Sequence, residues 1–408
     1  MKFLELVETM RSEEAGRERF SFREVSEADG RRFLDDEKGF RGVGGIRKHP
    51  QYELMMSEAL GVLTNARKSR RGIEVFNEAM GTADFPLLMG DVLDRQLLGT
   101  YAETPQTWSV YCRRGTVPDF RTVKRFAVDG AEGVLPSVGE KGTYLPQVVS
   151  ETKYEYAVTK FGRIVKWNWE AWVNDDLDAL GSSSPARLGR AARRSEDKTA
   201  TQLHVDANGP HASLYTSGNK NIINTTNGAS ATNPALSISG LQDAFTVLGL
   251  QVDADGEPIG VDGVILEVPP SLEITARNIL GADQIMVGVF PTSGNNQQIL
   301  TQNWMRSKVT LVVNPYIPIV ASSANGKTSW FVHASPNVGR PALEMGFLRG
   351  YEAPQLFQKI SDQARIGGAS NPMDGSFDDD TMAFKVRHLM GGCRLDGKST
   401  VGSNGSGS

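Results

Sequence analysis

The sequence predicts an α+β protein with one long extended arm, and three stretches carry that expectation. Residues 108–167 hold two runs of strand-forming residues around a polar, glycine-spotted excursion of roughly twenty residues, too long for an ordinary hairpin turn. Ser184-Pro185 then opens a long helix running to about His204, with proline where a first turn tolerates it. From 235 to 325, short apolar strands alternate with helical stretches, the pattern of a compact α/β unit.

At 408 residues the chain can form two or three domains or one elongated one. Its 39% hydrophobic and 23% charged residues are ordinary for a chain that buries a sizeable core. No run approaches the roughly 18 apolar residues of a membrane span, and acids interrupt the apolar N-terminus, which lacks a signal-peptide core. Two cysteines, Cys112 and Cys393, exclude a disulfide scaffold and a four-cysteine zinc site, and suit a reducing compartment. A net charge of −4 excludes whole-chain electrostatic binding to nucleic acid and leaves only local patches.

Residues 1–72 are dense in charge of both signs. The helix expected at 51–66, with Leu54, Met55, Ala59, Leu60 and Leu63, is too small for a domain core and reads as an arm or accessory segment. A second helix is expected at 84–101, capped by Asp84, with Pro86 in its first turn. The arm opens in extended form at 108–114 and returns as one strand at 154–167. Its loop carries turn residues and charged tips: Asp129, Glu132, Glu140 and Lys141. A projecting arm suits holding a neighbour better than building a private core.

On the helix after Pro185, Leu188, Ala192, Ser195, Thr199 and Leu203 follow the spacing of a buried stripe. Arg187, Arg190, Arg194 and Lys198 line another side, which is either a solvated face or a basic stripe facing a polyanion. Residues 217–233 read as a surface loop of low order. A helix from Ser237, buried strands at 264–268 and 308–317, and a helix at 271–280 fill the α/β unit. Further strands are expected at 328–333, 342–348, 355–357 and 382–390, with a flexible end at 401–408.

Chemistry is sparse. Gly392 to Ser399 fits a phosphate-loop pattern and Ala321 to Thr328 nearly does. Neither is followed by the helix whose N-terminal amides would face phosphates, so both read as accidental turns and a nucleotide-binding enzyme stays a distant alternative. His204, Asp206 and His211 share no rigid face and read as surface polar residues, not metal ligands. Asp374 and Asp378 to Asp380 lack the alternation of a calcium loop, and His333 and His388 read as structural. No catalytic residue, cofactor or metal is expected.

Four ordered stretches resemble the major capsid proteins of tailed bacteriophages. They are Asp84-Phe-Pro-Leu-Leu-Met-Gly with Pro105-Gln-Thr-Trp108 and the turn from Val117 to Phe120; Phe161-Gly-Arg-Ile-Val with Asn174 to Leu177 and Leu188-Gly-Arg-Ala-Ala-Arg; Leu266-Glu-Val-Pro-Pro-Ser-Leu-Glu273; and Arg340-Pro-Ala-Leu-Glu344 with Gly350 to Leu356 and Phe384 to His388. Each is weak alone, and their order over three-quarters of the chain makes the match specific.

The resemblance implies the tailed-phage and herpesvirus-type major capsid fold. It would place an N-terminal arm at 1–107, an extended β-loop at 108–165, and a peripheral domain at 166–234 and 326–400 with its spine helix at 184–205. An axial domain would take 235–325. It further implies a virion shell subunit assembled in the bacterial cytoplasm into pentamers and hexamers around double-stranded DNA. Its partners would be portal, scaffold and decoration proteins, with no membrane. Asp129, Glu132, Glu140 and Lys141 would then meet a neighbouring subunit, and Arg187, Arg190, Arg194 and Lys198 the packaged DNA. Residues 1–83 fall outside the motifs; some relatives lose such a segment to a protease, and removal or retention stays open. Some relatives crosslink a loop lysine to a neighbour's asparagine; Lys141 lies in that loop, but no partner asparagine is identifiable and no crosslink is expected. A nanocompartment shell like the encapsulins is the sister reading.

Overall fold

The computed structural model describes residues 85–406 apart from 131–132, 136, 145–148, 169, 171–183, 261–262, 290–296, 338, 364–365 and 367–374. The helix expected at 51–66, with Asp84, Glu132 and Asp374, lies outside the described residues.

In chain order the main elements are α1 (Phe85–Glu103), β1 (Arg113–Val117), β2 (Val123–Asp129), β3 (Ser150–Tyr156), β4 (Thr159–Asn168) and α2 (Ser184–His204). Then follow α3 (Ile238–Gly249), β5 (Val264–Val268), α4 (Glu273–Gly281), β6 (Gln284–Val289), β7 (Gln297–Gln302) and β8 (Val309–Val313). The chain finishes with β9 (Trp330–Ala334), β10 (Leu343–Leu348), β11 (Gln355–Gln358), β12 (Thr381–Arg394) and β13 (Thr400–Ser403). Among the described residues, one compact unit is drawn from 85–105, 160–193 and 353–388, and the other from 106–159, 194–352 and 389–406. The class is α+β, as the sequence predicts.

In the first unit, Leu97 and Leu98 of α1, Leu188 of α2 and Val386 of β12 form the core, lined by Val165, Ala353 and Leu356. The helices approach closely because residue 189 is glycine; a Cβ there would lie 2.5 Å from the Leu97 carbonyl oxygen. Arg193 stacks 3.8 Å from the centroid of the Tyr101 ring and donates to the Tyr101 carbonyl at 3.2 and 3.3 Å, satisfying a group that the end of α1 leaves open. Strand β11 pairs antiparallel with β12, with Gln355 opposite Arg387, and β4 also pairs with β12.

The second unit is built on a four-stranded sheet in the order β8-β5-β9-β13. All five residues of β5 are buried, as an apolar run with both faces covered requires. Strand β5 runs parallel to β8 and antiparallel to β9, and Pro269-Pro270 ends it by removing backbone donors. Helix α3, capped where the Ser237 hydroxyl accepts from the Gly240 amide at 3.1 Å, packs Leu241, Ala244, Val247 and Leu248 into one core with Leu266, Ala276, Val332 and Val401. In a second sheet β1 runs parallel to β10, and β10 pairs antiparallel with residues 390–394 of β12.

Several expectations change. Trp108–Tyr111 is a helical turn instead of extended chain, because Asp197 Oδ1 accepts from the Thr107 and Trp108 amides at 2.9 and 3.2 Å and caps that turn from outside. The returning run of the arm is two strands, β3 and β4, broken at Ala157-Val158. Residues 217–233 are pinned rather than loose: Asn221 is fully buried and donates to the Leu214 and Gly397 carbonyls at 3.0 and 2.8 Å. The flexible end expected at 401–408 begins inside the sheet, since all four residues of β13 are buried and Val401 lies opposite Val332. Strand β9, within the segment expected in the peripheral domain, pairs with β5 and β13.

Burial of β13 has a direct consequence. Val401→Ala should lower stability by about 2 kcal/mol, and Val401→Asp or termination at Ser399 should abolish cooperative thermal unfolding followed by circular dichroism. Wild-type melting of the truncated chain would show that β13 is dispensable.

Candidate functional site

The second unit carries an exposed hairpin, β2–β3. Its register sets Lys124 opposite Glu155, Phe126 opposite Lys153 and Val128 opposite Glu151, so these six share one face. All six are exposed, and the Lys153 ammonium pairs with Glu155. Two large apolar side chains therefore stand among charges, with Phe126 60% exposed. Beyond the strands, Val134, Leu135 and Tyr144 are 79%, 88% and 82% exposed. Apolar surface held in water contributes nothing to the stability of the subunit itself. Of the predicted loop residues, Asp129 ends β2, and Glu140 and Lys141 are exposed in a turn where Lys141 has φ 62°.

The root of the hairpin is fastened. Tyr156, nearly buried, donates its hydroxyl to Glu344 Oε1 at 2.6 Å; Arg125 Nε donates to the same oxygen at 2.9 Å, and Arg113 Nε lies 3.9 Å from Oε2. Burial raises the Tyr156 pKa, and the Glu344 carboxylate beside it raises it further. Beneath runs a row of three glycines across β1, β10 and β12: Gly115 opposite Gly346, and Gly346 opposite Gly391. A Cβ would lie 2.4 Å from Glu344 Oε1 at residue 115, from the Tyr156 ring at residue 346 and from the Ala157 carbonyl at residue 391. The bare backbone of this row is what lets the hairpin exit lie against the sheet. Cys393, opposite Glu344 on β12, has its thiol pKa pushed up to about 12 by burial and then by that carboxylate.

On α2 the basic residues Arg187, Arg190, Arg194 and Lys198 are all exposed. The opposite side departs from the expected apolar stripe. Ser195, Thr199 and Leu203 are only partly covered, while Glu196, Asp197, Thr201 and His204 are buried. Each acid has a partner: Trp108 Nε1 donates to Glu196 Oε2 at 3.0 Å, and Asp197 holds the amides named above. In this helix buried polarity does the positioning that leucines usually do.

His204 corrects the surface reading outright, for it is fully buried beside Glu267 of β5 and His333 of β9. His333 Nε2 lies 2.8 Å from Glu267 Oε2, and His204 Nε2 lies 2.9 Å from the same oxygen. The His204 contact is off the line of a hydrogen bond, and that nitrogen has no other partner. Asn314 Nδ2 donates to Glu267 Oε1 at 2.6 Å and to Thr201 Oγ1 at 2.8 Å. Burial alone would raise the Glu267 pKa, but the two imidazoles outweigh it and hold the carboxyl well below the usual range.

Other candidates do not converge. Asp206 accepts from the Asn208 and Ala212 amides, while His211 Nε2 meets Arg394 Nη2 at 2.7 Å. Gly392 lies inside β12, and the Lys398 ammonium donates to the Val252 carbonyl at 2.8 Å. Asn325–Thr328 is a single helical turn leading into β9. Asp379 turns inward to Ser376 and Thr381, and His388 stands edge-on to Tyr101 with ring centroids 6.0 Å apart.

A family model described as phage capsid protein matches residues 151–401. No curated protein matches the chain. Solved structures similar to it include a virus-like particle from Pyrococcus furiosus, at 10% identity over 77% of this chain and 98% of that one, TM-score 0.39. Others are the SrpI encapsulin complex of Synechococcus elongatus (11% identity, 72% of this chain and 85% of that one, TM-score 0.40) and the capsid of a native GTA particle (10% identity, 73% and 90%, TM-score 0.45).

The glycine row predicts that Gly346→Ala pushes Tyr156 off Glu344 and loosens the hairpin root. Expected are a loss of about 2 kcal/mol in thermal unfolding and faster limited proteolysis within residues 123–156. Proteolysis at the wild-type rate would mean that the root does not depend on this close approach.

Proposed function

The chain belongs to the phage capsid protein family, whose members are structural proteins of the virion and not enzymes, and from that premise we propose that it self-assembles into the pentamers and hexamers of an icosahedral head enclosing double-stranded DNA. The observation that carries the reading is the hairpin, fastened at its root and apolar where nothing of its own unit covers it. Burying Phe126, Val128, Leu135 and Tyr144 against a second copy would contribute roughly 1.5–3 kcal/mol for each side chain fully covered. Closed symmetry multiplies such modest contacts over every subunit of a shell.

In this reading residues 108–165 lie over a neighbour, with Glu140 and Lys141, and Asp129 and Glu132 on the same segment, meeting its surface. Residues 1–107 act as the N-terminal arm. The peripheral domain takes 166–234 and 326–400, with α2 as its spine helix; the axial domain takes 235–325. Arg187, Arg190, Arg194 and Lys198 face packaged DNA and meet phosphates without reading sequence. Assembly proceeds in the bacterial cytoplasm with scaffold, portal and decoration proteins as partners.

Size-exclusion chromatography with light scattering, followed by electron microscopy, tests the assembly reading. The wild-type chain, alone or with co-expressed head proteins, should give closed shells or five- and six-fold rings. The double change Phe126→Asp and Leu135→Asp should leave the circular dichroism and melting of the subunit unchanged and abolish shells. Shells from the variant at wild-type yield would overturn the hairpin's role, and wild-type shells filled with protein instead of DNA would favour a nanocompartment.

Changing Arg187, Arg190, Arg194 and Lys198 together to glutamine should leave shell yield intact. It should lower the salt at which DNA is released by several-fold, since each lost phosphate contact reduces the salt slope by about 0.9. Unchanged retention across salt would remove the stripe from the interior.

A further inference from the structure

We propose that His204, Glu267 and His333 form a buried binding site for one divalent transition-metal cation of the zinc class. The three residues come from α2, β5 and β9, each fully buried, and their ligand atoms all lie within 4.8 Å of one another. Two imidazole nitrogens and a carboxylate oxygen make a donor set that suits zinc and its neighbours, whereas calcium and magnesium take oxygen alone.

The unpartnered nitrogen of His204 points to the ion. His204 Nδ1 lies 3.3 Å from the Ala200 carbonyl oxygen, which can only accept, and an N–H there leaves Nε2 free to bind a metal. That Nε2 lies 2.9 Å from Glu267 Oε2 but off the line of a hydrogen bond, and it has no hydrogen-bond partner although the side chain is fully buried. A cation bound by both atoms would satisfy that nitrogen.

The surrounding groups have the arrangement that orients metal ligands. His333 Nδ1 meets Thr400 Oγ1 at 2.9 Å, and Thr400 Oγ1 in turn meets the Tyr215 hydroxyl at 2.9 Å. Glu267 Oε1 is held by Asn314, which leaves Oε2 to point at the two rings. Aromatic rings close the site: Tyr111 and Phe331 stand 5.2 and 5.1 Å from the His204 centroid. Ligand atoms now 2.8 and 2.9 Å apart would open by roughly half an ångström around a tetrahedral ion with bonds of about 2.0–2.2 Å, and a water trapped as the chain folds would take the fourth vertex. With all three ligands buried, the ion would enter as the chain folds and leave only on unfolding.

The test is elemental analysis of the full-length folded protein after exhaustive dialysis against EDTA, with zinc as the probe. About one zinc per chain should survive dialysis and be released in guanidinium chloride. His204→Gln and His333→Gln should each reduce it to near zero. To separate loss of metal from loss of fold, the wild-type chain is also refolded with cobalt(II). Visible d–d bands of nitrogen and oxygen ligation, without thiolate charge transfer, should appear. No metal in the wild-type chain, as purified or refolded with zinc, would overturn the proposal in favour of a bare imidazole–carboxylate cluster. Metal retained by folded His204→Gln, or a thiolate band pointing to Cys112 or Cys393, would overturn it equally.

Discussion

The Glu344 carboxylate is the contact on which the hairpin depends. It is nearly inaccessible, yet it receives the Tyr156 hydroxyl and the Arg125 guanidinium on one oxygen, tying both strands of the hairpin to β10. A carboxylate buried this deeply is tolerable only when its acceptor sites are filled, and removing either donor would leave charge or polarity stranded. Side chains alone could not achieve this. The bare backbone at Gly115, Gly346 and Gly391 makes the space into which the carboxylate, the tyrosine ring and the hairpin exit fit. A segment fastened at its root and apolar beyond it would lose less conformational freedom in the contact proposed for it than an unfastened one.

Elsewhere the second unit spends its polarity internally. Glu196, Asp197 and Glu267 are buried, and each has a partner within the same unit: Trp108, Thr107, and His333 with Asn314, respectively. These contacts fix α2 against β5 and β9 in one register, a specificity that leucine packing alone would not give, since apolar contacts are non-directional. Strand β13 then pairs along β9 beside Trp330, Phe331 and Val332, which makes Thr400–Ser403 part of the core.

Local pattern carried much of this architecture. Ser237, Pro269-Pro270 and the uninterrupted run Val264-Ile-Leu-Glu-Val mark α3 and β5 by rules that need no tertiary context, and Ser184-Pro185 marks the start of α2. What sequence missed is long-range. The helical turn at Trp108–Tyr111 is decided by Asp197, ninety residues away. Thr400–Ser403 is too polar and glycine-rich to look like a strand and becomes one because β9 offers a free edge. Glu267 alone among these left a signal: an acid inside an otherwise apolar strand must find partners. Which partners could not be read, because His204 sits on a helix 63 residues earlier and His333 on a strand 66 residues later. The sequence marked this hairpin as a polar excursion with charged tips; its exposed Phe126, Val128, Leu135 and Tyr144, and the glycine row at its root, depend on burial and strand register that sequence does not give.

The measurement that bears most directly on this account is hydrogen–deuterium exchange of residues 123–156, compared between assembled particles and the dissociated subunit. The account predicts strong protection on assembly for the segment around Phe126, Val128, Leu135 and Tyr144, with the root near Tyr156 protected in both states. Equal exchange of the apolar segment in the two states would contradict it, because the hairpin would then be uncovered in the shell as well.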